Sequence, residues 1–260
     1  MKVKDIVQKP PKILLYGSPG SGKTALTATF GGDGFFVDLD DGLLTALRLQ
    51  DQHTSLRHEL EFETFIDVDA TKFTSFSRAK ACIIKLANQV NSGRFPHKAI
   101  IVDSFTSLAD KAVQSVLSAS GKDPFGKREI QHWGIAMLEL ESCLTILRAL
   151  PIVVVFIAHD MIVEVDEQSQ IQIAVFGKSF PGKIAGMFDE LWYMRAKNLP
   201  GGKTGYVLQS TRTAGVLARS RNQLPDKVEV TTLTMKDVLK KIDFDLEAFP
   251  TPLEAKEGKK

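Results

Sequence analysis

Short apolar runs alternate with amphipathic stretches along most of the chain. Residues 12–16 (KILLY) form a continuous apolar run after Pro10 and Pro11, the pattern of a strand buried on both faces. A glycine-rich segment follows, and residues 23–30 then predict a helix. Residues 35–38 (FFVD) predict a second buried strand, opening into the acidic turn 38–42. A third strand is expected over 62–68. Phe76, Ala79, Ile83, Leu86 and Val90 recur at spacings of three and four, one face of a helix that Asn91, Ser92 and Gly93 end. Residues 99–103 (AIIVD) read as a central parallel strand and 108–117 as a helix. Residues 118–131, with two glycines and a proline, predict an exposed loop. Met137, Leu140, Leu144 and Leu147 mark another helix ending near Pro151, and 152–158 (IVVVFIA) is the next buried strand.

The pattern then changes. Residues 162–165 and 171–175 flank a polar stretch and predict a β-hairpin. Strand-like runs recur at 191–194 and 206–209, and the charged end, 254–260, is expected to be disordered. The predicted class is α/β: a mostly parallel sheet with helices on both faces, and a hairpin and short strands toward the C-terminus. The expected division is an N-terminal extension over 1–11, a core over 12–225 and a C-terminal extension over 226–260.

Charge narrows the choice of partners. The 260 residues carry 33 basic and 31 acidic side chains, a net charge of +2, so any nucleic-acid surface must be local. Cys82 and Cys143 lie in helical apolar patterns without metal-ligand spacing, as reduced thiols of a cytosolic protein do. The longest apolar run, 149–158, is interrupted by Pro151 and too short to span a bilayer. The N-terminus lacks the apolar stretch of a signal peptide. A cytoplasmic location and no membrane partner are expected.

The chemistry centres on Gly17, Ser18, Pro19, Gly20, Ser21, Gly22, Lys23 and Thr24, a full GxxxxGK[ST] between a predicted strand and a predicted helix. Its backbone N–H groups can cradle phosphate oxygens, Lys23 can reach the β- and γ-phosphates, and the Thr24 hydroxyl can hold Mg²⁺. ATP and Mg²⁺ are the expected cofactors. Asp103, at the end of AIIVD, is the candidate second metal contact. Ser104 follows it rather than a glutamate, so the water-orienting carboxylate must come from elsewhere, and the turn after FFVD offers Asp38, Asp40 and Asp41. A helix-capping acidic turn is the competing reading of those three. His159, after IVVVFIA, is a candidate γ-phosphate contact, against a strand-end histidine bonded to backbone. Arg219 and Arg221 are candidate fingers for a neighbour's nucleotide, against a solvated basic loop.

On IIVDSFTSLAD and FFVDLDD the chain resembles the RecA-type ATPases, with Asp40 by position where that family carries a catalytic glutamate. GSPGSGKT, VVVFIAHD, FPGKIAGMFDELWYM and LARSR resemble more closely the compact phage-encoded RecA-core ATPases, some of them Sak-type single-strand annealing proteins. The resemblance implies a DNA-dependent ATPase that binds single-stranded DNA in phage recombination, acting in the host cytoplasm. It implies a homo-oligomer with nucleotide at subunit interfaces, and a single-strand DNA-binding protein as a further partner. The family's two DNA loops map to 118–131, with Lys122, Phe125, Lys127 and Arg128, and to 160–182, with Lys178 and Phe180. The alternative is a nucleotide-dependent switch or sensing module of low turnover that controls a protein partner.

Overall fold

A computed structural model describes residues 9–69, 73–165, 167–177 and 180–258. The strands are β1 (Lys12–Tyr16), β2 (Gly34–Asp38), β3 (Glu61–Thr64), β4 (Ala99–Asp103), β5 (Val153–Ala158), β6 (Asp160–Val165), β7 (Gln168–Ile173), β8 (Glu190–Asn198), β9 (Thr204–Gln209), β10 (Arg219–Ser220) and β11 (Lys227–Glu229). The helices are α1 (Lys23–Thr27), α2 (Leu43–Leu47), α3 (Thr54–His58), α4 (Ser75–Asn91), α5 (Phe105–Ala119), α6 (Ile130–Arg148), α7 (Phe180–Gly186), α8 (Met235–Lys240) and α9 (Pro252–Glu257).

The sheet runs β11-β9-β8-β1-β5-β4-β2-β3, with β10 beside β8, and β6 with β7 forms a separate hairpin. Pairing is parallel from β8 through β1, β5, β4 and β2 to β3, and antiparallel among β8, β9, β10 and β11. This is the expected α/β class, a mostly parallel sheet with helices on both faces and short antiparallel strands toward the C-terminus. The central parallel strands β1, β4 and β5 are largely apolar because both their faces are covered. Leu14, Val102, Val154 and Phe156 point into a core with α4, α5 and α6. Their neighbours Ile13, Leu15, Ile101 and Val155 point the other way, onto a core holding Leu26, Ala46, Val238 and Leu239. Consecutive strand residues serve opposite layers, as the two-residue repeat requires.

Several boundaries differ from the sequence expectation. The helix expected over 23–30 closes at Thr27 and tightens into a 3-10 turn over Ala28–Asp33. The strand expected over 62–68 is confined to Glu61–Thr64, an edge strand that is mostly exposed. Residues after 225, expected as an extension, join the sheet through β11 and bury Met235, Val238, Leu239 and Leu246. The charged end is not disordered from 254: α9 occupies Pro252–Glu257, because Thr251 and Glu254 form a reciprocal capping box with Pro252 in the first turn.

Candidate functional site

Strand register brings the candidate residues to one edge of the sheet. Tyr16 lies opposite Ala158, Ile157 opposite Asp103, and Asp103 opposite Asp38. The segments leaving those strands, from Gly17, Leu39, Ser104 and His159, therefore emerge together at the carboxyl ends, where open α/β sheets bind ligands. A cleft of about 570 Å³ opens there, lined by the glycine-rich loop, Asp40, Asp103 and His159.

The loop turns tightly because two positions exclude a side chain. A Cβ at Gly17 would lie 2.0 Å from the Met194 carbonyl oxygen. At Gly22, whose φ is +88°, it would come within 2.9 Å of the Tyr206 ring. Lys23 is buried and curls back on the loop, donating to the carbonyls of Gly17 at 2.7 Å and Ser18 at 2.9 Å, and to the Ser21 hydroxyl at 3.3 Å. Burial pushes its ammonium pKa down, while Asp103, Asp160 and Asp40 pull it up. The loop thus holds a cation at its centre with carboxylates on the surrounding walls.

Thr24 begins α1 beside β4, and its hydroxyl donates to the Asp103 carboxylate at 2.7 Å. Burial raises the Asp103 carboxyl to about 7; the Thr24 hydrogen bond and Lys23 oppose this, and Asp40 and Asp38 add to it. A buried hydroxyl–carboxylate pair is the donor set a hard divalent cation uses when substrate phosphates and water complete its shell. Among the described residues no three His, Cys, Asp or Glu side chains gather as an all-protein metal site. Thr24 and Asp103 therefore fit Mg²⁺ that arrives with a nucleotide.

The three aspartates of the acidic turn have separate places. Asp38 is buried, and its carboxylate accepts from the Asp40 backbone N–H and the Thr64 hydroxyl, each at 3.2 Å. Asp41 is exposed with φ +56°. Asp40 lines the cleft, with its Oδ2 3.6 Å from His159 Nε2. Burial works to raise the Asp40 carboxyl, but hydrogen bonds from His159, Ser107 and Ser104 outweigh it and hold the group below the usual carboxylate range. His159 is anchored through its backbone: its N–H donates to the Thr106 hydroxyl at 3.0 Å, and its carbonyl accepts from Ala174 N–H at 2.8 Å.

Arg219 and Arg221 lie away from the cleft, beside β8. Arg219 pairs with Leu191, and the Arg221 guanidinium donates to Asp189, whose carboxylate also takes the Lys12 N–H at the start of β1. The length of β1, ~15 Å at ~3.3 Å per residue, separates Arg221 from the loop, whereas Arg219 stands level with Leu14 in the middle of β1. The Arg219 guanidinium is bound to the carbonyls of Ala185 and Phe188, whereas the Arg221 side chain is 52 % exposed.

Of the two loops mapped for DNA, the first is narrowed by the helices to 120–129. Phe125 is 70 % exposed there and Lys127 is exposed. Lys122 pairs with Glu129 at 2.7 Å, and the Arg128 guanidinium stands over the Trp133 ring at 5.2 Å. In the second, residues 160–165 and 168–173 pair as the β6–β7 hairpin. Phe180 is 2 % exposed and stacks on Phe176 in the core, so it offers no stacking surface; Lys178 lies outside the described residues.

Three residues escaped the sequence reading. Tyr206 on β9 walls the cleft beside Gly22, with Ala46 and Leu49 lining its apolar end. Arg57, 3 % exposed, forks onto Asp51 at 2.9 and 2.7 Å and donates to the carbonyls of Ala25 and Leu49, bracing two walls of the cleft. Asp160 accepts from the Ser18 hydroxyl at 2.8 Å. The Tyr206, Arg57–Ala25 and Asp160–Ser18 contacts span large sequence separations and leave no local pattern.

The family described as AAA domain matches residues 9–222. No curated protein sequence matches the chain. Among solved structures, the chain is similar to a prototypical ATPase from the type III secretion system of pathogenic bacteria, at 17 % identity and a TM-score of 0.43. That likeness covers 71 % of this chain and 52 % of the other, so the chain spans about half of that ATPase. It is also similar to the flagellar accessory protein FlaH from Methanocaldococcus jannaschii, at 10 % identity and a TM-score of 0.42, covering 86 % of this chain and 85 % of that one.

Proposed function

Because the chain belongs to the AAA-domain family, and is thereby a nucleotide-binding P-loop ATPase, we propose that it couples ATP hydrolysis to binding of single-stranded DNA and promotes annealing or strand exchange in recombination. The observation that carries the ATPase part is the convergence of Lys23, Thr24, Asp103, Asp40 and His159 on one cleft. Lys23 neutralises phosphate charge, and the loop's backbone N–H groups orient the phosphates. Thr24 and Asp103 would hold Mg²⁺, which when bound supplies charge neutralisation at the β- and γ-phosphate oxygens. Asp40 is ionised near neutral pH and can hold the attacking water by accepting its proton in a hydrogen bond. His159 keeps that carboxylate oriented through the contact at 3.6 Å.

Asp40→Asn is expected to slow hydrolysis by roughly a hundredfold or more while changing ATP affinity only a few-fold, since the amide keeps the shape but not the charge. Single-turnover hydrolysis and equilibrium ATP titration separate the two effects. Full turnover in Asp40→Asn, with loss in Asp38→Asn or Asp41→Asn, would move the role along the turn.

Support for the DNA part comes from the 120–129 loop, where exposed Phe125 stands beside exposed Lys127 and Arg128. Bases can stack on the aromatic ring while the cations follow the backbone. One protomer offers few such contacts, so affinity requires a row of protomers. The cleft and Arg221 lie at opposite edges of the sheet, as a head-to-tail row needs for one protomer's arginine to approach its neighbour's nucleotide. Replacing Lys127 and Arg128 by Ala is expected to weaken single-stranded DNA binding about tenfold or more and to flatten its salt dependence, with ATP affinity intact. Fluorescence anisotropy across a salt series, with and without ATP, reads this. Absence of DNA binding by the wild type under every nucleotide condition would end the DNA reading.

The second reading, a nucleotide-dependent switch for a protein partner, draws on α6. Ile130 and Leu138 are 91 % and 69 % exposed, and such apolar side chains suit a protein surface better than a phosphate backbone.

A further inference from the structure

We propose that Asp160 limits the preference for triphosphate over diphosphate and reports which is bound: its carboxylate latches the β6–β7 hairpin to the phosphate loop, and a nucleoside triphosphate opens the latch while a diphosphate leaves it closed. The inference rests on the reading of the cleft as an ATP site.

Asp160 is the first residue of β6, directly after His159. One oxygen of its carboxylate, Oδ2, accepts from the Ser18 hydroxyl at 2.8 Å and from the Tyr193 hydroxyl at 3.3 Å. Tyr193 is fixed in turn by the Tyr16 ring, with centroids 5.2 Å apart. Ser18 belongs to the phosphate loop, and its carbonyl takes the Lys23 ammonium at 2.9 Å. Asp160 therefore grips the loop at the residue that holds the phosphate-binding lysine.

The sign of the effect follows from charge. A carboxylate close enough to attract Lys23 acts with opposite sign on the phosphate that Lys23 binds. A lysine in this motif reaches the β- and γ-phosphates. A triphosphate adds negative charge at the far end of that reach, and a diphosphate does not. Repulsion then falls on the Asp160–Ser18 contact selectively with ATP.

The hairpin is built to register that release. Its second strand is tied down: Ile171 N–H donates to the Gly215 carbonyl at 2.8 Å, and Leu217 N–H to the Ile171 carbonyl at 3.2 Å. At its root the Thr106 hydroxyl donates to the Ala174 carbonyl at 3.0 Å and accepts from the His159 N–H. β6, by contrast, meets the phosphate loop through the Asp160 carboxylate, and it carries exposed Met161 and Ile162. β6 stays paired with β7 throughout, so freeing Asp160 loosens the base of the outward-facing strand while β7 stays anchored.

Asp160→Asn keeps an oxygen that accepts from Ser18 and Tyr193 and removes the charge. Calorimetric titration with Mg-ATP, its non-hydrolysable analogue and Mg-ADP reads the specificity. Hydrogen exchange over 160–174 reads the latch. In the wild type, the triphosphate analogue should speed exchange in 160–165 relative to ADP. In Asp160→Asn, the preference for ATP over ADP should rise on the order of tenfold, and exchange should no longer distinguish the two nucleotides. Tyr193→Phe, which removes one donor and keeps the ring, should speed exchange in 160–165 before any nucleotide is added. An unchanged ATP-to-ADP ratio in Asp160→Asn, or hairpin exchange in the wild type that ignores nucleotide, overturns the latch. With Lys23→Ala as the comparison, loss of ATP binding there alongside wild-type behaviour of Asp160→Asn sinks the latch alone. Retained ATP binding in Lys23→Ala sinks the reading of the cleft and the latch with it.

Discussion

Lys23→Ala is expected to lose Mg-ATP affinity by a hundredfold or more, roughly 3 kcal/mol, and to remain folded. The ammonium is the cation at the centre of the loop and is the group that can meet phosphate charge directly. Its present partners are two loop carbonyls and the Ser21 hydroxyl. These are polar groups near the mouth of an open cleft, so water can replace the lysine once it is gone. Burial already disfavours the charged ammonium in the folded protein, so its removal costs little stability. Isothermal titration with ATP, paired with circular dichroism and a thermal melt, separates the two effects. A variant that binds ATP as the wild type does would remove the loop from the nucleotide site. A variant that fails to fold would contradict the view that Lys23 serves binding rather than packing.

The second large effect belongs to Asp103. Its carboxyl is raised from an ordinary 3.8 to about 7 by burial, so the folded protein holds that proton more tightly than the unfolded chain does. The resulting stability is fully present below about pH 4 and is lost as pH rises to about 7. Above pH 7, protein free of nucleotide and magnesium carries a buried, ionised Asp103 at a cost on the order of 2–4 kcal/mol. Asp103→Asn keeps an oxygen for the Thr24 hydroxyl and removes that cost. The variant should therefore melt roughly 5–10 °C above the wild type at pH 8 in chelator, with the gap closing toward pH 5. Adding Mg-ATP should reverse the ranking, because only the wild type retains the carboxylate that accompanies Thr24 at the metal. Melting curves that stay parallel from pH 5 to pH 8 would contradict the buried-charge account, and equal stabilisation by Mg-ATP would contradict the metal role.

What could be read beforehand divides along a physical line. β1, β4 and β5 were legible because strands buried on both faces must be apolar without interruption, and α4 because one apolar stripe recurs at helical spacing. The phosphate loop was legible because its glycines, lysine and threonine are fixed by local backbone geometry. β11 and α8 were missed: three and six residues are too few to display a period, and tertiary burial makes them regular. Phe180, given a DNA-stacking role on its loop position, is drawn instead into the core beside Phe176 and Ile184. Tyr206 reaches the cleft from β9, Arg57 from α3 and Asp160 from the start of β6, and only the folded arrangement sets them beside the phosphate loop. The register of the sheet sets Arg221 at the far end of β1 from the loop, a distance that its place late in the chain could not reveal.

Steady-state ATP hydrolysis with and without single-stranded DNA, under saturating Mg-ATP, tests the proposed coupling most directly. The account predicts turnover that depends on Asp40 and rises several-fold or more when the oligonucleotide is added, with the rise lost in the Lys127 and Arg128 double-alanine variant. Measurable hydrolysis that single-stranded DNA leaves unchanged at every concentration would contradict it and favour a switch that controls a protein partner.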